Sequence, residues 1–284
     1  MRIKKIKSGF QLPVLGLGTW GTGGRAERDT AADDGKLAAV IRAAIEAGFT
    51  RIDTAEMYAA GHSEELVGRA IRGFPREKLF LTSKVWKTHL HRADLELACE
   101  NSLRRLGVEY LDLYLIHQVA PEVPVEESVE ALNHLHRRGL IRNIGVSNFS
   151  ISRLEEVRKF STAQVVLNQL HYSLVVREAE AAGLPAYCRE HDMIFEAWRP
   201  LRDLPSDCPL LREIADRFGM TPMQIALSFV LSQENMTAVT AMRNPAHFAE
   251  NLAAAEFILP AEEIERLRRE FPGQQLISPA VPLI

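Results

Sequence analysis

The chain has little of several features that define whole classes of proteins. It holds three cysteines among 284 residues, and none of them stands in a C-x-x-C pair. So sparse and odd a count argues against a disulfide framework or a zinc cage and is typical of a reducing, cytoplasmic environment. No window of 18 residues is apolar throughout, so the sequence predicts no membrane span. The N-terminus also lacks the apolar stretch of a signal peptide.

A surplus of positive charge is missing as well. The 34 basic residues are balanced by 37 acidic ones, for a net charge of −3, whereas a nucleic-acid-binding surface calls for a clearly basic domain. His89 and His91 read H-x-H, but no further ligand pattern accompanies them. We therefore predict neither a nucleic-acid partner nor a bound metal, and a metal-dependent hydrolase is the weaker alternative.

The stretch VLGLGTWGTGG contains G-x-G-x-x-G at Gly16, Gly18 and Gly21. This spacing is the fingerprint of a Rossmann dinucleotide-binding turn when the third glycine already lies in a helix. Here the first helical pattern begins only near Asp33, after a polar run of about a dozen residues. The position of that helix argues against a Rossmann turn.

Short apolar strand patterns alternate with amphipathic helix patterns along the rest of the chain. Seven such strands follow residue 50, and LPVLGLGT makes an eighth. Alternating strands and helices predict a parallel sheet. Eight units without a linker predict an α/β fold, a (β/α)8 TIM barrel, which commonly needs about 250 residues. An open doubly wound sheet is the alternative.

The sequence predicts a single domain over residues 1–284. Residues 1–13 alternate in polarity around a Ser-Gly pair, which predicts a short N-terminal β-hairpin at one end of the barrel. Residues 272–284 form a brief tail that includes Pro279 and Pro282, which predicts an extended segment near the barrel mouth.

Polar or aromatic residues stand at the carboxyl ends of the predicted strands, where the chemistry of a (β/α)8 barrel gathers. They are Thr19, Asp53, Lys84, His117, Ser147, Asn148, Gln169, Trp198 and Arg243. A strand end beside a loop is often polar, so one such residue means little. The joint pattern, with one group from each strand, indicates a functional site.

Four titratable residues near this rim fit one reaction. Asp53, Lys84 and His117 end successive strands, and Tyr58 lies in the loop after the first of them. We expect the Lys84 ammonium to lower the pKa of Tyr58 from its usual value near 10, and Asp53 to hold the ammonium in place. The set suits protonation of an alkoxide, and so carbonyl reduction with a cofactor as the hydride source. A purely structural Asp53–Lys84 ion pair is the alternative.

Five segments carry a family resemblance: RIDTAEMYAAGHSEELVGRAI, LFLTSKVW, YLDLYLIH, IRNIGVSNF and VVLNQLHYS. In this order they resemble the aldo-keto reductase superfamily, and the likeness runs along nearly the whole chain. The family folds as a (β/α)8 barrel and binds NADP(H) in an extended pose without a Rossmann domain. The resemblance therefore implies an NADPH-dependent oxidoreductase that reduces aldehydes or ketones to alcohols.

The resemblance implies roles for individual residues. Tyr58 matches the general acid of reduction. Lys84 and Asp53 match the pair that tunes it, and His117 matches the group that orients the substrate. The positions that match cofactor-binding residues are Gly18, Thr19, Ser147, Asn148, Gln169, Trp198, Arg199, Leu201, Arg243 and Asn251.

The chain departs from the family pattern at the nicotinamide end. Ser147, Asn148 and Gln169 match the residues that hold the nicotinamide carboxamide. A tyrosine in A-Y-S-P-L usually lies under the nicotinamide, whereas this chain reads AWRPL. Trp198 would then supply the stacking face. Arg199, in place of serine, is expected to add charge near the pyrophosphate.

A second departure concerns the adenosine end. Many members grip the 2′-phosphate with a lysine and an arginine, where this chain has Ala241 and His247 within VTAMRNPAHFAEN. Arg243 is the remaining firm cation, and arginine grips a phosphate bidentately. We predict a preference for NADP(H), with some use of NAD(H). Asn251 matches an adenine-contacting position, and a solvated Arg243 is the alternative.

The substrate side is less informative. Trp20 and Trp86, with Met57 and Val119, lie next to matched positions and are expected to line the mouth. The short loop after His117 and the brief C-terminal tail suggest an open site for small aldehydes and ketones. We expect a monomer or small oligomer. A cofactor-binding regulatory or structural protein on the same fold is the alternative, and the intact catalytic four favour the enzyme.

Overall fold

A computed structural model of the chain describes residues 1–272, 281 and 283. Its centre is a closed barrel of eight parallel strands. After two hairpin strands, β1 (Ile3–Lys5) and β2 (Gln11–Pro13), the barrel strands are β3 (Leu15–Gly18), β4 (Arg51–Asp53), β5 (Phe80–Val85), β6 (Leu113–Ile116), β7 (Ile144–Ser147), β8 (Val165–His171), β9 (Ile194–Trp198) and β10 (Met236–Ala241). β10 pairs with both β9 and β3, which closes the ring and confirms the predicted (β/α)8 barrel over the open sheet.

One or two helices follow every barrel strand within the described part of the chain. They are α1 (Asp34–Glu46), α2 (His62–Ala70), α3 (Arg92–Leu106), α4 (Val125–Arg137), α5 (Ile151–Phe160), α6 (Glu178–Ala181), α7 (Leu184–Glu190), α8 (Pro209–Phe218), α9 (Pro222–Leu231), α10 (Phe248–Glu256) and α11 (Ala261–Glu270). None of the helices in the described residues is long and apolar enough to cross a membrane.

Local chemistry sets where these helices begin and end. The Asp33 side chain accepts a hydrogen bond from the Lys36 amide and starts α1. Thr221 and Gln224 form a reciprocal capping box at the start of α9. Gly107 takes a left-handed conformation just past α3, as a helix C-cap requires.

The start of α1 excludes a Rossmann turn. β3 ends at Gly18, and α1 begins sixteen residues later, at Asp34. Gly21 therefore lies in a loop and not at a helix N-terminus, where a pyrophosphate would be bound. The prediction drawn from the late helix is confirmed.

Two apolar layers account for the core. Successive residues of a strand point to opposite faces, so one set faces the helices and the other faces the barrel interior. Ile52, Tyr114 and Phe195 belong to the large cluster between strands and helices. Leu113, Leu115, Leu167 and Ile194 belong to a separate cluster that also contains Ile6 and Leu12 of the hairpin region. The second cluster fills the barrel at its lower end.

The predicted hairpin is present and joins this lower core. β1 and β2 pair antiparallel, from Ile3 opposite Pro13 to Lys5 opposite Gln11. Gly9 adopts a φ of 98° at the turn, a conformation that favours glycine. Since Leu12 is 1% exposed and contacts the interior cluster, the hairpin closes the bottom of the barrel. Most of the tail predicted over residues 272–284 lies outside the described residues.

Truncation of Leu12 tests the closing role of the hairpin. Leu12→Ala should lower the free energy of unfolding by about 2–4 kcal/mol, because it removes buried methyl groups and leaves a cavity. Leu97, 57% exposed on α3, offers the same substitution at the surface, where the expected loss is under about 0.5 kcal/mol. Urea denaturation followed by circular dichroism measures both. Equal losses for the two variants would show that the hairpin adds nothing to the core.

Candidate active site

A cavity of about 410 Å³ opens at the carboxyl ends of the barrel strands. The predicted site residues that line it are Gly18, Trp20, Asp53, Met57, Tyr58, Trp86, His117, Ser147, Asn148, Gln169, Trp198, Arg199 and Leu201. Sequence reasoning missed other lining residues: Gln118, Pro200, Arg202, Val239, Thr240, Ala241 and Val281. Among these, Val281 belongs to the predicted tail and lies at the mouth. Val119 is buried beside the cavity and does not line it.

The Lys84 ammonium lies beneath this cavity and joins two of its walls. It is 0% exposed and donates to Asp53 Oδ1 at 2.5 Å, to the Thr54 carbonyl at 3.0 Å and to Tyr58 Oη at 3.2 Å. The three N–H groups of the ammonium are thereby all used. Because Tyr58 Oη accepts from Lys84, its own proton is left to be donated into the cavity.

The expected lowering of the Tyr58 pKa is wrong in sign. Burial raises the pKa of Tyr58 more than the neighbouring Lys84 ammonium lowers it, and the Asp53 carboxylate also raises it. The sequence predicted the ammonium and could not show that the ring is buried. Tyr58 therefore remains protonated at neutral pH, as a proton donor must.

Lys84 itself stays charged. Burial lowers its pKa, but the Asp53 carboxylate and Tyr58 raise it by more, so that the pKa ends above the usual value for lysine. An ammonium fixed below the phenol stabilises the negative charge that develops there when the phenol loses its proton.

His117 is held between two rings. Its imidazole lies 5.5 Å from the Tyr58 ring and 5.1 Å from the Trp86 ring, centroid to centroid, in both cases edge to face. Burial lowers its pKa well below 6.5, and the Lys84 charge lowers it further. The imidazole is therefore neutral at pH 7 and carries one N–H donor. Nδ1 is buried and has no hydrogen-bond partner among the described residues.

Unusual backbone conformations place Tyr58. The phenol opens a short 3-10 helix, Tyr58–Gly61, in which Ala59 and Ala60 have φ values of 51° and 53°. Their amides donate to the carbonyls of Arg25 and Ala26 in the loop after β3, at 2.5 Å and 2.9 Å. Left-handed alanines cost free energy and persist only where surrounding contacts hold them. The long loop after β3 thus fixes the segment that carries the phenol.

Three predicted cofactor residues form one hydrogen-bonded group on the opposite wall. Asn148 Nδ2 donates to Ser147 Oγ at 2.9 Å and to the His117 carbonyl at 3.1 Å. Ser147 Oγ donates to the Gln169 carbonyl at 2.9 Å. Gln169 Nε2 donates to Asp53 Oδ2 at 2.9 Å, which ties this wall to the catalytic pair.

Trp198 is fixed as a flat wall of the cavity. Its indole stacks on His171 with centroids 4.3 Å apart and planes within 11°, and its Nε1 donates to Asn148 Oδ1 at 3.0 Å. The Arg199 guanidinium lies 5.2 Å from the indole ring centre. Arg199 follows β9 with a φ of 55° and lines the cavity.

The remaining predicted cofactor residues lie away from this cavity. Thr19 and Arg243 line a small cleft beside it, together with Gly18. Arg243 is exposed, has no ion pair within the described residues, and lies against Gly21, where a Cβ would be 3.3 Å from its Nη2. Asn251 is half-buried on α10 and lines neither cavity.

The two histidines of the H-x-H pair lie apart from the cavity and pair with carboxylates. His89 Nδ1 lies 3.0 Å from Glu56, and His91 Nδ1 lies 3.1 Å from Glu127. Within the part of the chain that the structure describes, no group of three or more histidine, cysteine, aspartate or glutamate residues could hold a metal ion. The geometry thus gives no support to a metal-dependent hydrolase.

The residues present fit a nicotinamide nucleotide. The planar aromatic wall at Trp198 matches a ring, and the hydroxyl and amide groups beside it match a carboxamide. Arg243 in the adjoining cleft, which forms no ion pair with any described residue, matches a phosphate. The Tyr58 phenol and the neutral His117 face the same space from the other side. A carbonyl oxygen between them would meet two hydrogen-bond donors.

Comparisons with known proteins agree with this geometry. The model of the Aldo/keto reductase family matches residues 14–203 and 205–269. Methylglyoxal reductase YeaE of Escherichia coli (strain K12) is 36% identical over 269 residues, which cover 92% of each chain. A thermostable aldo-keto reductase, Tm1743, solved with the inhibitor epalrestat, has a TM-score of 0.92 at 43% identity and covers 95% of this chain and 99% of that chain. An aldo-keto reductase from Klebsiella pneumoniae in complex with NADPH has a TM-score of 0.86 at 36% identity and covers 97% of both chains.

The lowered pKa of His117 makes stability depend on pH. Below pH 6.5 the unfolded chain binds a proton at this residue and the folded chain does not, so stability falls as the pH drops. Between pH 7.5 and 5.0 the free energy of unfolding should fall further in the wild-type protein than in His117→Gln, by at most about 1.4 kcal/mol for each pH unit below 6.5. Urea denaturation curves at both pH values measure the difference. Parallel losses in the two proteins would mean that His117 is not held neutral.

Proposed function

The chain belongs to the aldo/keto reductase family, and we propose that it reduces small aldehydes and ketones to alcohols with NADPH as the hydride donor. The observation that carries this proposal is the contact of Lys84 Nζ with Tyr58 Oη at 3.2 Å, below a cavity that His117 also faces. Because the ammonium contacts the phenol oxygen on one side and the cavity lies on the other, the phenol can donate its proton to a substrate in the cavity.

The chemistry of the side chains follows from their protonation states. Tyr58, kept protonated by burial, donates its proton to the carbonyl oxygen as that oxygen gains negative charge. Lys84 stabilises the phenolate that remains, and Asp53 holds Lys84 in place. Neutral His117 donates an N–H hydrogen bond to the same oxygen and thereby orients the substrate. NADPH, when bound, would supply the hydride, since no side chain can provide one.

The shape of the cavity supports small substrates. Trp20, Met57 and Trp86 line the cavity of about 410 Å³ together with Tyr58. The relative from Escherichia coli is named a methylglyoxal reductase. We therefore propose small aldehydes and ketones of this size as the substrate class, with methylglyoxal as the first to be assayed.

Arg243 supports a preference for NADPH over NADH. Its exposed guanidinium lies beside Thr19 and Gly18, next to the cavity, and is not engaged by a carboxylate within the described residues. The Klebsiella pneumoniae relative was solved with NADPH. We propose that Arg243 binds the 2′-phosphate and that Asn251 contacts the adenine.

Other properties of the chain remain proposals. We propose that residues 1–284 form one domain and that the protein is a monomer or small oligomer. The three cysteine thiols are buried and unpaired, which supports a reducing, cytoplasmic location. A regulatory or structural role without turnover gains no support from the site, because a purely cofactor-binding protein does not require the Tyr58–Lys84 contact.

Removal of one hydroxyl tests the proton donor. Tyr58→Phe should lower the rate of methylglyoxal reduction by about 10³-fold, within the range of general-acid catalysis, and leave NADPH affinity within about twofold. Loss of absorbance at 340 nm measures turnover, and fluorescence titration measures binding. Tyr110→Phe makes the same change away from the cavity and should retain full activity. Activity of Tyr58→Phe within tenfold of the wild type would exclude the assignment.

Loss of one cation tests the cofactor preference. Arg243→Ala should weaken NADPH binding by about 10- to 100-fold, the value of charge-assisted hydrogen bonds to a phosphate, and change NADH binding by less than about twofold. Arg72→Ala removes another exposed arginine, outside both cavities, and should change neither. Equal effects of Arg243→Ala on the two dinucleotides would show that the guanidinium does not contact the 2′-phosphate.

A further inference from the structure

Two charged residues that no motif singled out lie inside the barrel, one layer below the site. Arg51 stands two residues before Asp53 on β4, and Glu196 stands two residues before Trp198 on β9. Residues two apart on a strand share a face, so both side chains point into the interior. They form an ion pair with each other, and both are 0% exposed.

The sequence makes room for this pair. A Cβ at Gly16 would lie 3.0 Å from Val239 Cγ1 and 3.3 Å from Arg51 Nε, which is tighter than most side-chain contacts, so the neighbouring side chains would have to shift. Arg51 Nη1 also donates to the Pro13 carbonyl at 3.0 Å, at the end of the hairpin. The guanidinium is therefore fixed between the hairpin, β3 and Glu196, and it holds the Glu196 carboxylate in turn.

Gln169 connects this pair to the catalytic pair. Its Nε2 lies 2.9 Å from Asp53 Oδ2 and 3.4 Å from Glu196 Oε1, and it stands opposite Glu196 in the β8–β9 register. An amide placed between two carboxylates must turn its NH₂ group to them, so its oxygen is left to accept from a donor in the cavity. The orientation of the amide oxygen thus depends on both carboxylates.

The buried charges balance as one group. Arg51 and Lys84 are positive, Asp53 and Glu196 are negative, and the neutral Gln169 amide lies between the carboxylates. Buried charges persist when each is paired and hydrogen-bonded, and removal of one leaves its partner uncompensated. The Asp53 carboxylate raises the pKa of Arg51 against the lowering effect of burial, so the field of one pair reaches the other.

We propose that Glu196, held by Arg51, is a positioning residue for this site: it orients the Gln169 amide for the nicotinamide carboxamide, and its charge balance with Arg51 tunes proton donation by Tyr58. This inference rests on the proposed reductase function. The groups that face Tyr58 are Lys84, Asp53, His117 and Arg199. None of these is changed by a substitution at Arg51 or Glu196.

Three variants separate charge balance from amide orientation: Glu196→Gln, Arg51→Met and the double variant. Glu196→Gln leaves a positive excess, which favours the phenolate, so the pH above which reduction fails should fall by about half a unit or more. Arg51→Met leaves an excess of negative charge, so the pH above which reduction fails should rise. In the double variant this pH should return to the wild-type value. The pH dependence of kcat/KM for methylglyoxal reduction measures all three.

NADPH affinity should depend on whether the variant keeps the Glu196 carboxylate, and not on its charge balance. Glu196→Gln and the double variant both remove one carboxylate from Gln169, and each should weaken NADPH binding by about threefold or more. Arg51→Met retains that carboxylate but loses the group that holds it, and should weaken NADPH binding by less than Glu196→Gln does. Fluorescence titration with NADPH measures binding without turnover. The neutral nicotinamide of NADPH keeps the charge change itself from altering this value directly.

The outcomes distinguish this inference from the proposed function. Shifts of opposite sign in the single variants, cancelled in the double variant, support it, because general damage to the fold would not reverse sign. Shifts of the same sign, or wild-type NADPH affinity in the double variant, overturn it. If a single variant fails to fold, the charge-neutral double variant still tests the inference, through its NADPH affinity and the pH above which its kcat/KM falls. A wild-type protein that binds NADPH but reduces no carbonyl contradicts the proposed function and leaves the binding test in force.

Discussion

The ammonium of Lys84, enclosed in the barrel, is the constraint on which the site depends. A buried cation without partners costs several kcal/mol, so three acceptors must meet its three N–H groups. Asp53, the Thr54 carbonyl and Tyr58 Oη supply them. Once the phenol oxygen accepts from the ammonium, its hydrogen can point only toward the cavity. The direction of proton donation is therefore a consequence of satisfying one buried charge.

The layers below the site follow from the same constraint. Charged groups inside a barrel attract one another strongly only where water is excluded. The N-terminal hairpin and the leucines of β6 and β8 fill the lower end, and above them lie the Arg51–Glu196 pair and then the Asp53–Lys84 pair. Polarity thus increases from the closed bottom to the open mouth. By closing the bottom of the barrel, the hairpin keeps water away from the buried charged groups above it and so supports the catalytic groups at the opposite end.

The sequence was sufficient for the fold and for the groups at the strand ends. Asp53, Lys84 and His117 could be predicted because each stands at or beside the carboxyl end of a predicted strand, and such ends meet at one rim. The sign of the Tyr58 pKa shift could not, since it depends on burial that no spacing records. Arg51 and Glu196 were missed because neither stands at the carboxyl end of a strand, and because they meet only across the closed barrel. A charge two positions before a rim residue was the one signal available.

The replacement of the usual tyrosine by Trp198 is consistent with the contacts around it. An indole offers a larger stacking surface than a phenol and also carries an N–H, which must find an acceptor when the ring is half-buried. Asn148 Oδ1 provides that acceptor, while Asn148 Nδ2 binds Ser147 and the His117 carbonyl. His171 covers the ring by parallel stacking. Contacts with Asn148 and His171 therefore fix the orientation of the indole before a ligand binds. A planar ligand meets an ordered surface, and the protein loses less conformational entropy on binding.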